Sequence, residues 1–159
     1  MLHCGRIISD KKKPHSTYIV STREQMTLIV KIINGLIRIK VDSFKKACSF
    51  LNIEFIESNY ILKPLDPYFA GLIDTDGSIV FHFAGNRIEC NLELKYNIYS
   101  EKCHFDYVIP NYKPSILLRD KKNNTPGKLF KSIAIKYQTV NGMIHLYNYF
   151  MQNRLYCDF

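Results

Sequence analysis

Residues 66–78 read DPYFAGLIDTDGS: small and apolar residues leading into two aspartates and a glycine. Asp66-Pro67 is a helix start. The aspartate side chain can accept the first free N–H groups, and proline is tolerated at the first helical position, where its missing N–H costs no bond. The pattern predicts a helix to Asp76, ended by Gly77. Beyond it the period shortens to two. Ile79 to Phe83 alternates as a strand, residues 84–87 turn, and Ile88 to Tyr96 alternates again. Ile88, Cys90, Leu92, Leu94 and Tyr96 share one face; Glu89, Asn91, Glu93 and Lys95 share the other. Two strands joined by a short Gly-Asn loop make a hairpin.

Working outward, Tyr99 to Pro114 is poorly patterned. Ser115 to Lys122 is a third strand, 123–127 a loop, and Phe130 to Val140 a fourth strand with Ser132, Ala134, Lys136 and Gln138 on one face. Asn141 to Asn153 reads as a helix packing through Ile144, Tyr147, Tyr149, Phe150 and Met151. The order helix, hairpin, hairpin, helix predicts an α+β domain over 61–159, an antiparallel sheet with helices on one face and a polar opposite face. Upstream, 16–21 reads as a short strand. Arg23 to Asn34 reads as a helix with Met26, Ile29, Val30 and Ile33 on one stripe. A second helix, capped by Asp42 or Ser43, runs through Phe50 with Phe44, Ala47, Cys48 and Leu51 on one side.

The 159 residues carry a formal net charge of +8, with 47% hydrophobic and 23% charged residues. That is a globular composition. The excess of lysine and arginine points to a polyanionic partner, nucleic acid before an acidic membrane surface. No apolar run approaches the roughly 20 residues of a membrane span, and the first residues lack a signal peptide's apolar centre. Five cysteines, Cys4, Cys48, Cys90, Cys103 and Cys157, form no CxxC pair. They read as reduced thiols, not a disulfide framework or zinc site. Abundant Ile, Lys, Asn, Tyr and Phe with no Trp is what AT-rich codons yield, and such coding is common in organelle genomes.

Residues 69–77, FAGLIDTDG, resemble the signature of the LAGLIDADG family of homing endonucleases and intron maturases, matching it at seven of nine positions; Phe69 and Thr75 depart. The resemblance implies a LAGLIDADG homing-endonuclease-like fold, an antiparallel β-sheet saddle with helices packed on one face, and a metal-dependent nuclease encoded within an organellar intron, in the mitochondrion or another organelle. Mg²⁺ would be its cofactor and a long double-stranded DNA site its substrate. Alternatively it implies a maturase aiding the splicing of its host group I intron RNA. It assigns the metal-binding acid to the position before the final glycine, here Asp76, beside Gly77, and leaves Asp74 structural. Small residues four apart, Gly71 with Thr75 and Ala70 with Asp74, let two helix backbones approach closely. Ala70, Gly71, Ile73, Asp74 and Thr75 would thus face a second such helix, and each helix would bring one carboxylate to the shared end. Two acids so placed repel unless a divalent cation lies between them, and Mg²⁺ needs only one or two carboxylates plus waters and phosphate.

The same reading gives the basic charge a location. Ser78, Val80 and His82 continue onto the polar sheet face, with Ala84 expected beyond them. There they join Arg87, Glu89, Asn91, Glu93, Lys95, Arg119, Lys121, Lys136 and Gln138. Such a face suits the major groove. Lys and Arg would meet phosphate or guanine, Asn and Gln adenine, and Glu89 and Glu93 either the cytosine amino group or simply water at the edge. Residues 32–40, IINGLIRIK, resemble the tail of a preceding LAGLIDADG domain. This implies that 1–60 is such a tail plus a connector, and that Lys40, with Arg38 second, stabilises phosphate charge. One motif is present where the chemistry needs two. The expectation is therefore a partial copy of a two-motif protein, a homodimer on a near-palindromic site, or an inactive remnant. Without a partner helix Phe69, Leu72 and Ile73 would be exposed and the chain would self-associate.

Overall fold

A computed structural model describes residues 4–9, 16–122 and 129–156; the loop expected at 123–127 and Cys157 lie outside the described residues. The chain divides into two compact units, 1–59 and 60–159.

In the first unit, β1 (Arg6–Ser9) pairs antiparallel with β2 (Ser16–Ile19). Helix α1 (Arg23–Ile33) starts at Thr22, whose side chain accepts the Gln25 N–H at 3.3 Å. Helix α2 (Val41–Leu51) packs on α1 through the expected stripe. Val30, Phe44, Cys48 and Leu51 are buried, with Met26, Ile33 and Ala47 against them. The expected caps Asp42 and Ser43 instead lie inside α2. Val41 is 1% exposed, and burying it starts the helix earlier, at Lys40, without a side-chain cap. The Asn34 side chain binds the Glu54 carbonyl and the Ile56 N–H, so the residue expected to stop α1 also anchors the connector.

In the second unit, α3 (Tyr68–Asp76) leads directly into β3 (Gly77–His82), a single 3₁₀ turn (Phe83–Gly85) and β4 (Arg87–Lys95). Then come α4 (Ile98–Lys102), β5 (Ser115–Lys122), β6 (Leu129–Tyr137) and α5 (Val140–Gln152). The sheet is antiparallel throughout, in the order β3-β4-β6-β5. The architecture is α+β. Cys90, Leu92, Leu94, Ile133, Ile135 and Tyr137 on one sheet face are buried, as are Phe69 and Ile73 of α3 and Leu146 and Tyr149 of α5. Phe69 sits at the centre, its ring 5.7–5.9 Å from those of Phe105, Tyr137 and Tyr149.

Three expectations are corrected here. Ala84 lies in the 3₁₀ turn and not on the strand. The poorly patterned region contains α4, started by a capping box in which Asn97 and Ser100 bond each other's backbones. On α5 the inward stripe is Gly142, Leu146 and Tyr149, while Ile144, Tyr147 and Met151 are exposed. The helix is apolar on two sides, and periodicity cannot choose between them. Close approach does: a Cβ at Gly142 would come within 2.4 Å of the Tyr112 ring, so only glycine admits that ring. Among the described residues no helix is long and apolar enough to cross a membrane.

Candidate nucleic-acid interface and metal-holding carboxylate

Helix α3 starts as its sequence demands. The Asp66 carboxylate accepts the Tyr68 N–H at 3.0 Å and Pro67 is already helical. Tyr149 fixes the helix from below. Its hydroxyl accepts the Ala70 N–H at 3.0 Å and donates to the Asp66 carbonyl at 2.6 Å. Burial pushes the Tyr149 phenol above its ordinary value. The Thr75 hydroxyl shares its one proton between the Gly71 and Leu72 carbonyls, at 3.1 and 3.2 Å, bonding back onto its own helix.

The five residues expected to face a second helix divide. Ile73 is fully buried in this unit's own core and Ala70 is 5% exposed, so neither is available to a partner. Phe69 is likewise buried and Leu72 half-buried. The apolar patch expected of an unpaired motif helix is therefore absent, because the same side chains that fit the motif fill the core beneath it. Asp74 is half-buried, and both its oxygens accept the Tyr156 N–H, at 3.0 and 3.1 Å. It is a structural anchor for the segment after α5. Thr75 and Gly71 are exposed, and a Cβ at Gly71 would meet nothing within 4 Å.

Gly77 is extended (φ −84°, ψ 172°), not left-handed as a helix-ending glycine often is. Its requirement is space: a Cβ there would lie 2.6 Å from Ile73 Cα and 2.8 Å from the Ile73 carbonyl oxygen. Its N–H is bonded to that same carbonyl. Gly77 thus turns the chain from helix to strand within one residue and leaves Asp76 at the corner. Asp76 is exposed, and among the described residues its carboxylate has no hydrogen-bond or ion-pair partner. It stands at the negative end of the α3 dipole, where a carboxylate adds to the negative potential instead of relieving it. Among the described residues no three His, Cys, Asp or Glu side chains cluster as a metal cage. One exposed carboxylate supplies one of the one or two protein carboxylates through which Mg²⁺ is usually held, the remaining oxygens being water and phosphate.

Lys40 belongs to the first unit and heads α2, exposed, at the positive end of a helix dipole. Arg38 in the same unit donates to the Asn59 carbonyl at 2.7 Å.

The register puts the expected contact residues on one face of the sheet. Ser78 on β3 lies beside Asn91 on β4, which lies beside Lys136 on β6. Val80 lies beside Glu89, and His82 beside Arg87. At the far end Lys95, Ser132 and Arg119 form a row. Gln138 follows β6, and Lys121 lies on β5 with its side chain outside the described residues. Leu117 escaped the sequence reading, and the bond made by Ser132, whose face was expected, did too. Leu117, 44% exposed, shares this face beside Ala134. Ser132, buried, donates to Glu93 Oε1 at 2.5 Å, so Glu93 is tied to the neighbouring strand. The Oδ1 atom of Asn91 is buried and has no hydrogen-bond partner among the described residues. Glu89 is only 6% exposed. Its Oε1 accepts Lys136 Nζ, and its Oε2 lies 3.8 Å from Arg87 and 3.9 Å from His82. The Lys136 hydrogen bond, then the charges of Lys136, His82 and Arg87, hold the Glu89 carboxyl below its ordinary value against the opposing effect of burial. Neither a cytosine contact nor edge solvation, the two expectations for Glu89, describes it: both its oxygens are already engaged and shielded.

No family model, curated protein or solved structure matches this chain.

Proposed function

We propose that this chain is a LAGLIDADG-type nucleic-acid-binding protein, organelle-encoded, that makes an Mg²⁺-dependent double-strand break in a long DNA site. The reading is carried by the joint at 76–77. There an exposed carboxylate ends a motif helix at the point where it becomes the first strand of a sheet with a cationic polar face. The strand order β3-β4-β6-β5, with both flanking helices over one face, leaves the other face open to a duplex.

In this reading each residue has a limited task. Lys95, Arg87 and Arg119 receive phosphates on the sheet face. Ser78 and Gln138 present hydrogen-bonding groups to base edges, while Asn91, its Oδ1 buried, cannot make the bidentate contact that reads adenine. Asp76, with a second carboxylate from a paired copy of the motif, would hold Mg²⁺ against the backbone. When bound, that ion would supply Lewis-acid stabilisation of the charge developing on the phosphate. Pairing would use the outer flank of α3 at Gly71 and Thr75, the part that the core does not occupy. A maturase reading, with group I intron RNA on the same face, is favoured by one observation: among the described residues a single carboxylate, Asp76, stands at that corner, and RNA binding needs none.

Cleavage of a library of randomised DNA duplexes, with the new ends sequenced, tests the proposal. The expected result is ends at one long site, requiring Mg²⁺ and lost in Asp76→Asn while duplex binding persists. Cleavage that survives Asp76→Asn overturns the assignment. Splicing assistance unchanged by Asp76→Asn favours the maturase.

A further inference from the structure

Four of the polar-face residues form one ionic cluster, and its centre is the acid. Glu89 on β4 draws in Lys136 from β6, His82 from β3 and Arg87 from β4 itself, so three strands converge on one carboxylate. The side chains of Glu89 and Lys136 are 8% and 12% exposed, whereas those of His82 and Arg87 are 44% and 53% exposed. An isolated carboxylate at that depth would be strongly disfavoured, and so would an isolated ammonium; each is tolerated because of the other. The cluster therefore has an inner neutral pair and an outer ring of two groups leaning on it.

We infer that Glu89 is a positioning residue, a counter-anion built into the polar face that silences Lys136 and holds Arg87 and His82 over the sheet, and that it reads no base. The inference rests on the nucleic-acid reading and deepens it by fixing which cations meet phosphate. Lys136 is withdrawn from that task. Arg87 keeps its outward exposure but has its guanidinium drawn toward one point, so its phosphate contact occurs at a set register. At the far end of the face, the row with Lys95 and Arg119 lies four β4 positions from Asn91 and Lys136. Removing the negative charge should release Lys136 to the partner and unfix Arg87. Affinity for any duplex should rise while its dependence on salt steepens.

The test is equilibrium binding of the full chain to duplex DNA of random sequence over a series of salt concentrations. It compares the wild type with Glu89→Gln, Lys136→Met and the double variant. Glu89→Gln should bind more tightly at low salt. Its plot of log K against log salt should be steeper by about 0.9, the effect of one further phosphate contact. The double variant, which lacks both members of the neutral pair, should return to the wild-type slope. It does so even if Glu89→Gln alone folds poorly, because it leaves no unpaired ammonium. A double variant shallower than the wild type by about 0.9 means that Lys136 already contacts phosphate, and overturns the inference. Equal slopes for wild type and Glu89→Gln also overturn it, as does a loss of affinity confined to duplexes sharing one cytosine. Absence of binding by every variant overturns the nucleic-acid reading and this inference together.

Discussion

Replacing Gly71 by alanine should move two properties in opposite directions. Gly71 is interior to α3, and a methyl group there would project into open space, with nothing within 4 Å. The Thr75 hydroxyl bond to the Gly71 carbonyl involves no atom that changes. The only term left in the folded chain is helix propensity, which favours alanine by about 1 kcal/mol. In a unit of this size that corresponds to a rise of roughly 4 to 8 °C in Tm. Urea denaturation monitored by circular dichroism measures it, as a later midpoint with an unchanged slope. If α3 pairs closely with a second motif helix, the same methyl group holds the two backbones apart. Overpacking of that kind costs about 1–3 kcal/mol and should reduce cleavage roughly 5- to 150-fold. A variant no more stable than the parent would mean that this flank is covered in solution. A stabilised variant with undiminished cleavage would refute pairing through Gly71.

Gly77→Ala should destabilise by about 3 kcal/mol, since its Cβ would strike Ile73 backbone atoms that cannot move aside; the same denaturation assay reads it. Tyr149→Phe should cost about 1–3 kcal/mol, because it leaves the buried Ala70 N–H without its acceptor. The Cys90 thiol is fully buried, and burial pushes it up to about 12, so at pH 8 it should resist alkylation in the native protein and react once unfolded. The Glu89 carboxyl is held below its ordinary value of 4.5. It therefore contributes stability above pH 4.5 that is lost as the pH falls through the lower, folded value. Glu89→Gln should flatten the acid limb of the stability profile measured by denaturant titration.

Wherever one period dominates, the sequence is readable. The α1 and α2 stripes meet as their spacing requires, and β3, β4 and β6 place their polar residues on one side because alternation admits only two faces. Motif residues were harder to apportion. Ala70 and Ile73 satisfy a helix-pairing pattern and a core-packing pattern equally well, and the aromatic cluster around Phe69, brought together from distant segments, decided for the core. The same holds for α5, whose inward side is set by Tyr112 against Gly142, an approach between residues thirty apart in the chain. Helix α4 was visible only in its Asn97–Ser100 cap, too short for any stripe. Glu89 illustrates a further limit. Strand alternation gives its face, while its engagement depends on two neighbouring strands and on side-chain reach.

The proposed role of Asp76 as a metal-holding carboxylate can be tested without knowing the target site. Mn²⁺ substitutes for Mg²⁺ at oxygen sites and broadens the NMR signals of nearby amides even when it binds weakly. Titrated into the labelled protein, it should broaden the amides of Thr75, Asp76, Gly77 and Ser78 first, and the effect should vanish in Asp76→Asn. Broadening centred elsewhere, or unchanged in Asp76→Asn, would contradict the assignment of Asp76.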